Sequence, residues 1–146
     1  MLILDYPEWL QPSFVQVLIP KAVYKPVPEL EQADKLLQDG TFELPIVERF
    51  NTHRGRHTVP VRVYLRMMFI KHYFKLNYKG LESEVTHNLM YRFFCRIPIE
   101  QKVPNASALM KITQKYGGEV IKEMNQQLLK SLAEKKLVKR HPHKAV

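Results

Sequence analysis

The residues best suited to chemistry on a polyanion lie in two short stretches. One is Arg54-Gly55-Arg56, flanked by His53 and His57. Glycine lets a backbone approach closely, and each guanidinium can grip a phosphate through paired N–H groups. The other runs from Ala106 to Tyr116. At helical spacing Ser107, Lys111, Gln114 and Lys115 cluster on one side, and Leu109, Ile112 and Tyr116 mark the other. Lysine can donate to guanine acceptors, glutamine can pair with adenine, and serine can reach a base edge or a phosphate. A helix so furnished suits the major groove as the second helix of a helix-turn-helix. The same two patterns also fit a flexible surface loop and a solvated amphipathic helix. Arg62 and Arg66 share one side of a further helix, with Lys71 and Lys75 on roughly the opposite side, so at most one of these pairs faces DNA. The expected DNA-binding set is Arg54, Arg56, Arg62, Arg66, Ser107, Lys111, Gln114 and Lys115.

Other chemistries lack their residues. No cysteine or histidine pairs carry zinc spacing. His141-Pro142-His143 sits in a basic tail, and Glu119 and Glu123 fit a solvent face beside Lys122. No phosphate-binding glycine loop or nucleophile elbow is present. No catalytic residue, metal site or cofactor is therefore expected. The single cysteine, Cys95, lies in the apolar run Tyr91-Arg92-Phe93-Phe94-Cys95 and reads as a buried structural thiol.

Charge supports a polyanion partner, with double-stranded DNA fitting best. The 146-residue chain carries a net charge of +9, unevenly placed. Residues 1–48 hold three cations and eight acids, whereas residues 49–146 hold 20 cations and six acids. Such asymmetry favours nucleic acid, whose phosphates supply most nonspecific affinity. The longest apolar stretch, Tyr64 to Leu76, is interrupted by Arg66, Lys71 and Lys75 and is too short and charged to span a bilayer. The N-terminus has acids where a signal peptide carries cations, so a cytoplasmic location without membrane contact is expected.

The elements that must position these residues read as all-α: a small helical bundle containing a helix-turn-helix-like unit, with an irregular N-terminal arm and a basic C-terminal tail. Five prolines punctuate residues 1–28, which discourages a long helix. Trp9, Leu10, Phe14, Val15, Val17, Leu18 and Ile19 are expected to pack onto the main body. Helices are expected from Glu29 to Gln38, from Pro60 to about Phe74, from Tyr78 to Val85 behind an Asn77 cap, from Leu89 to Cys95 behind Asn88, from Ala106 to Tyr116 behind Asn105, and from Glu119 to about Leu137. A further turn is possible within Leu44 to Phe50, followed by the polar Asn51-to-Thr58 loop. The Pro60 helix is apolar on two flanks and should be central. The divisions are residues 1–50 as arm and short helices, 51–118 as the DNA-binding domain, and 119–146 as connecting helix and tail.

The order of motifs from about residue 30 onward resembles the N-terminal domain of insertion-sequence transposases, the InsH-like domain. The resemblance is carried by Arg54-Gly55-Arg56, Pro60-Val61-Arg62, Lys71-His72, Leu76-Asn77-Tyr78, Leu81-Glu82, Glu84-Val85, Asn88-Leu89, Tyr91 to Cys95, Val103-Pro104 and Ser107 to Leu109. The chain departs from that family at His57, where proline is usual, and at Gly80, where an acid is usual. It also departs at Asn105, where aspartate is favoured, and at Met110, Lys111, Thr113 and Gln114, where arginines are common.

The resemblance implies recognition of element ends in DNA transposition. It implies too a following ribonuclease-H-like domain in which three carboxylates hold two metal ions. A segment like Glu134 to Val138 precedes that domain's first aspartate in the family, and a truncated or frameshifted reading frame is expected here. The alternative is a stand-alone DNA-binding regulator or inhibitor of the full-length transposase. Possible protein partners are the full-length transposase or a second copy paired through Glu119 to Leu137, although that helix is short for a coiled coil.

Overall fold

The computed structural model describes residues 4–38, 40, 44, 59–116 and 118–134. Among them every regular element is a helix, as the sequence patterns require: α1 (Pro7–Leu10), α2 (Phe14–Leu18), α3 (Lys21–Tyr24), α4 (Pro28–Gln38), α5 (Val61–Tyr73), α6 (Tyr78–His87), α7 (Leu89–Phe94), α8 (Ala106–Tyr116) and α9 (Gly118–Glu134). The Leu44-to-Phe50 turn (Leu44 apart), the Asn51-to-Thr58 loop with Arg54 and Arg56, and the tail from residue 135 lie outside the described residues.

The helix boundaries follow from side chains that satisfy first-turn amides left without intrahelical partners. Asn77 Oδ1 accepts from Gly80 N at 2.6 Å. Asn88 Oδ1 accepts from Met90 N at 2.9 Å and Tyr91 N at 3.3 Å. Asn105 Oδ1 accepts from Ala108 N at 2.8 Å. All three asparagine caps are where the sequence puts them. Helix α6 runs two residues beyond Val85, so Asn88 alone separates α6 from α7. The ends of α5 and α7 rely on left-handed non-glycine residues, Lys75 at φ 56° and Arg96 at φ 63°. Behind them Leu76 N donates to Lys71 O at 2.9 Å and Ile97 N to Arg92 O at 3.1 Å, which recovers helix-end carbonyls.

Helix α5 is the axis of the core. Val61, Val63, Tyr64, Leu65, Met67, Met68, Phe69 and Ile70 are all buried. Helices α6 and α9 pack against it, α4 packs against α9, α3 against α7, and α8 against α6. The connection from α6 to α8 spans residues 88–105 and includes α7. The α6–α8 pair is thus joined through a third helix, unlike the roughly three- or four-residue turn of a compact helix-turn-helix. On α9, Asn125 is fully buried and its Nδ2 donates to Met68 O at 3.4 Å.

The N-terminal segment is not irregular. It docks as three short helices, held by a buried carboxylate. Asp5 accepts from Arg62 Nη1 at 2.9 Å and from Arg96 Nε at 2.6 Å. Trp9 meets the Phe93 ring edge-on at 5.7 Å, and Arg96 lies over Trp9. The expected packing of apolar arm residues therefore holds for Trp9. It fails for Leu10, Phe14, Val15, Val17 and Leu18, which are exposed, because α2 turns its one polar residue, Gln16, toward the body.

Arg66 is a second correction. Its guanidinium is buried, pairs with Asp34 of α4 and donates to Phe94 O at 2.9 Å, so it belongs to the core and not to a DNA-facing surface. Replacing Asp34 by Ala strands that buried cation. The expected loss is about 3 kcal/mol of unfolding free energy in urea denaturation, against about 1 kcal/mol for Asn88→Ala, which removes a cap. Lys75→Gly should instead gain about 0.5 kcal/mol, since glycine occupies the left-handed region without a Cβ clash.

Candidate nucleic-acid interface

Helix α8 is set in place at three points. Leu109 is fully buried beneath it and Ile112 is half-buried. The Thr113 and Tyr64 hydroxyls are 2.6 Å apart and share a hydrogen bond, tying α8 to α5, while Thr113 Oγ1 also donates to Leu109 O at 3.2 Å. Burial pushes the Tyr64 hydroxyl up to about 12, against the pull of Thr113. Tyr64 thus stays neutral and serves as a strut. At the N-terminus, Ala106 N donates to Glu82 Oε1 at 2.8 Å.

That third contact changes what α8 can do. The positive end of a helix is a ready anion site, but here Glu82 of α6 already supplies the negative charge. The Ala106 amide is therefore not open to an external anion. Ser107, Lys111, Gln114 and Lys115 are all exposed, together with Met110 at 41%. At 3.6 residues per turn these five cover an arc of about 140°, opposite Leu109 and Ile112. The structure thus brings together four of the eight residues singled out in the sequence.

The remaining four separate. Arg66 is in the core, and Arg62 is tied to Asp5 with its side chain 35% exposed. Arg54 and Arg56 lie outside the described residues. Every arginine among the described residues is engaged with its own chain: Arg62 and Arg96 with Asp5, Arg66 with Asp34, and Arg92 with Pro98 O and Gln101 O. Among the described residues the exposed cations on α8 are lysines, Lys111 and Lys115.

Beside α8 lies a cleft of about 350 Å³ whose lining includes Lys71, His72, Tyr78, Thr113, Glu119 and Lys122. Lys71 Nζ stands 4.7 Å from the centre of the Tyr78 ring. Partial burial, then Lys71 and Lys122, hold His72 below the ordinary imidazole range. The cleft therefore gathers two lysines and one carboxylate, Glu119, around a histidine that adds positive charge on protonation. Sequence spacing did not assemble this group, because Lys71 and Lys122 come from α5 and α9, far apart in the chain. Glu82 and Thr113 were also missed as positioning residues, since neither carries a local signal for its partner.

Among the described residues no group of three metal-ligating side chains occurs, and no helix is long and apolar enough to cross a membrane. Cys95 is fully buried, and burial pushes its thiol up, away from reactivity.

No curated protein and no solved structure matches the chain with significance. A family model does match: transposase domain (DUF772), over residues 20–115. That span is more than half of the 146 residues and contains α3 to α7 and all of α8 but its last residue. It includes Ser107, Lys111, Gln114 and Lys115, the exposed set on α8. The helical bundle, its lysine-bearing outer helix and this match agree, and the chain belongs to the transposase domain family.

Proposed function

We propose that the chain is the DNA-binding module of an insertion-sequence transposase of the DDE class, which recognises element ends in duplex DNA and has no catalytic residues of its own. The observation that carries this reading is the outer side of α8. Ser107, Lys111, Gln114 and Lys115 are exposed together there, on a helix fixed from beneath by Tyr64, Leu109 and Glu82. Rigid placement matters because base readout requires side chains to meet base edges with hydrogen-bond geometry. Lys111 and Gln114, one helical turn apart, read bases, and Ser107 and Lys115 flank them. The cleft with Lys71, His72 and Lys122 receives backbone phosphate, which sets register without reading sequence. Strand cleavage belongs to a separate ribonuclease-H-like domain.

Fluorescence anisotropy with duplexes from the ends of the encoding element tests this. Lys111→Ala combined with Gln114→Ala should reduce preference for those ends over random duplex by roughly 30-fold or more, in keeping with about 1–3 kcal/mol for each of the two specific pairs. Total affinity for random duplex should fall much less. An equal loss on every sequence would sink base readout by α8. Affinity of the unaltered chain should also fall steeply with salt, and removing one phosphate-contacting lysine should reduce the log–log slope by about 1. A salt-independent affinity would sink the phosphate contacts.

The pH dependence follows from His72. Its lowered proton affinity leaves it neutral at pH 7 and lets it charge only below the ordinary histidine range. Duplex affinity should rise as pH falls through that lowered value, and His72→Gln should reduce the rise. Stability should move the other way. The folded state binds this proton more weakly than the unfolded chain does, so the stability contribution is intact above the ordinary imidazole value. It is lost as pH falls through the folded one. Urea titrations across the acid range should show this loss, and His72→Gln should reduce it.

A further inference from the structure

Helix α2 is amphipathic in the reverse sense. Its polar residue faces inward: Gln16 is 8% exposed, and its Oε1 accepts from Ile99 N at 2.7 Å. Its apolar residues face out, with Phe14 76%, Val15 62%, Val17 66% and Leu18 63% exposed. At 3.6 residues per turn these four occupy an arc of about 160°, centred opposite Gln16. Leu10 and Val23, on the flanking helices α1 and α3, are 65% and 52% exposed. Single exposed apolar side chains are unremarkable, but a helix whose whole outer arc is apolar marks a covered surface.

We propose that α2 is a self-association surface, on which a second copy of this chain seats its own α2 in a two-fold contact. Three observations select that occupant. The four apolar side chains of α2 are each more than 60% exposed, so a mate seated on them would bury the kind of apolar core that stable interfaces carry. No charged residue lies between Glu8 and Lys21. A two-fold contact sets each patch against itself, so an uncharged patch meets its mate without like-charge repulsion. The same lack of cations rules out a duplex as occupant. A lipid surface is disfavoured because helices that lie on membranes carry cations along their polar face, whereas α2 has five residues and offers only Gln16 there.

Sedimentation equilibrium of the full chain without DNA, at micromolar concentration and in high salt, tests the proposal apart from any DNA reading. The expected result is a dimer that persists or tightens as salt rises. Val17→Asp together with Leu18→Glu would place like charges against each other across the two-fold. Dimer affinity should fall by about 100-fold or more, with unchanged far-ultraviolet circular dichroism because both sites are exposed. Should that variant lose helicity, Phe14→Gln removes apolar area without adding charge and should weaken the dimer about tenfold. A chain that is monomeric up to about 100 μM overturns the proposal. So does a dimer unaffected by either variant. Sedimentation of the monomer with neutral phosphatidylcholine vesicles would assign α2 to a lipid surface and overturn it equally.

Discussion

The ion pairs between the acidic N-terminal segment and the arginines of the body are the constraint on which the rest depends. A guanidinium as buried as that of Arg66 would cost several kcal/mol without compensation. Asp34 supplies the opposite charge, and Phe94 O and the Phe94 ring, 5.2 Å away, supply further contacts. In making this pair, α4 is fixed against α5 and α7 is fixed at its C-terminal end. Asp5 does the same for the arm. It joins Arg62 at the start of α5 to Arg96 just after α7, and it holds Arg96 in a left-handed conformation that arginine otherwise disfavours. Helix α6 packs against both α5 and α7, and α8 packs on α6.

These pairs also divide the cations by type. Arginine presents a planar fork that satisfies several acceptors at once and suits buried pairing, whereas lysine is a strongly hydrated point charge that stays at the surface. The described arginines are turned to their own chain, and Lys111 and Lys115 of α8 are exposed.

The helices were legible because their signals are local. Asn77, Asn88 and Asn105 each cap a helix within three residues of themselves, and the apolar spacing of residues 61–70 marks a helix with neighbours all round. The outer side of α8 was legible for the same reason, since a single helix fixes which of its own residues share a side. What escaped reading were contacts between distant segments. Arg62 and Arg66 have the same neighbours in sequence as DNA-facing arginines would, and only Asp5 and Asp34 make them structural. Gln16 reads as one polar residue in an apolar run, and nothing local says that it points inward at Ile99.

The amino-acid sequence by itself determined an all-helical chain, its caps, its central helix and the one-sided lysine pattern of α8, because each depends on backbone hydrogen bonding and periodicity over a few residues. Tertiary structure decided which charges are available and which apolar residues are covered. Those outcomes depend on partners tens of residues away, and desolvation makes a charge buried beside its partner a different chemical object from the same charge in water.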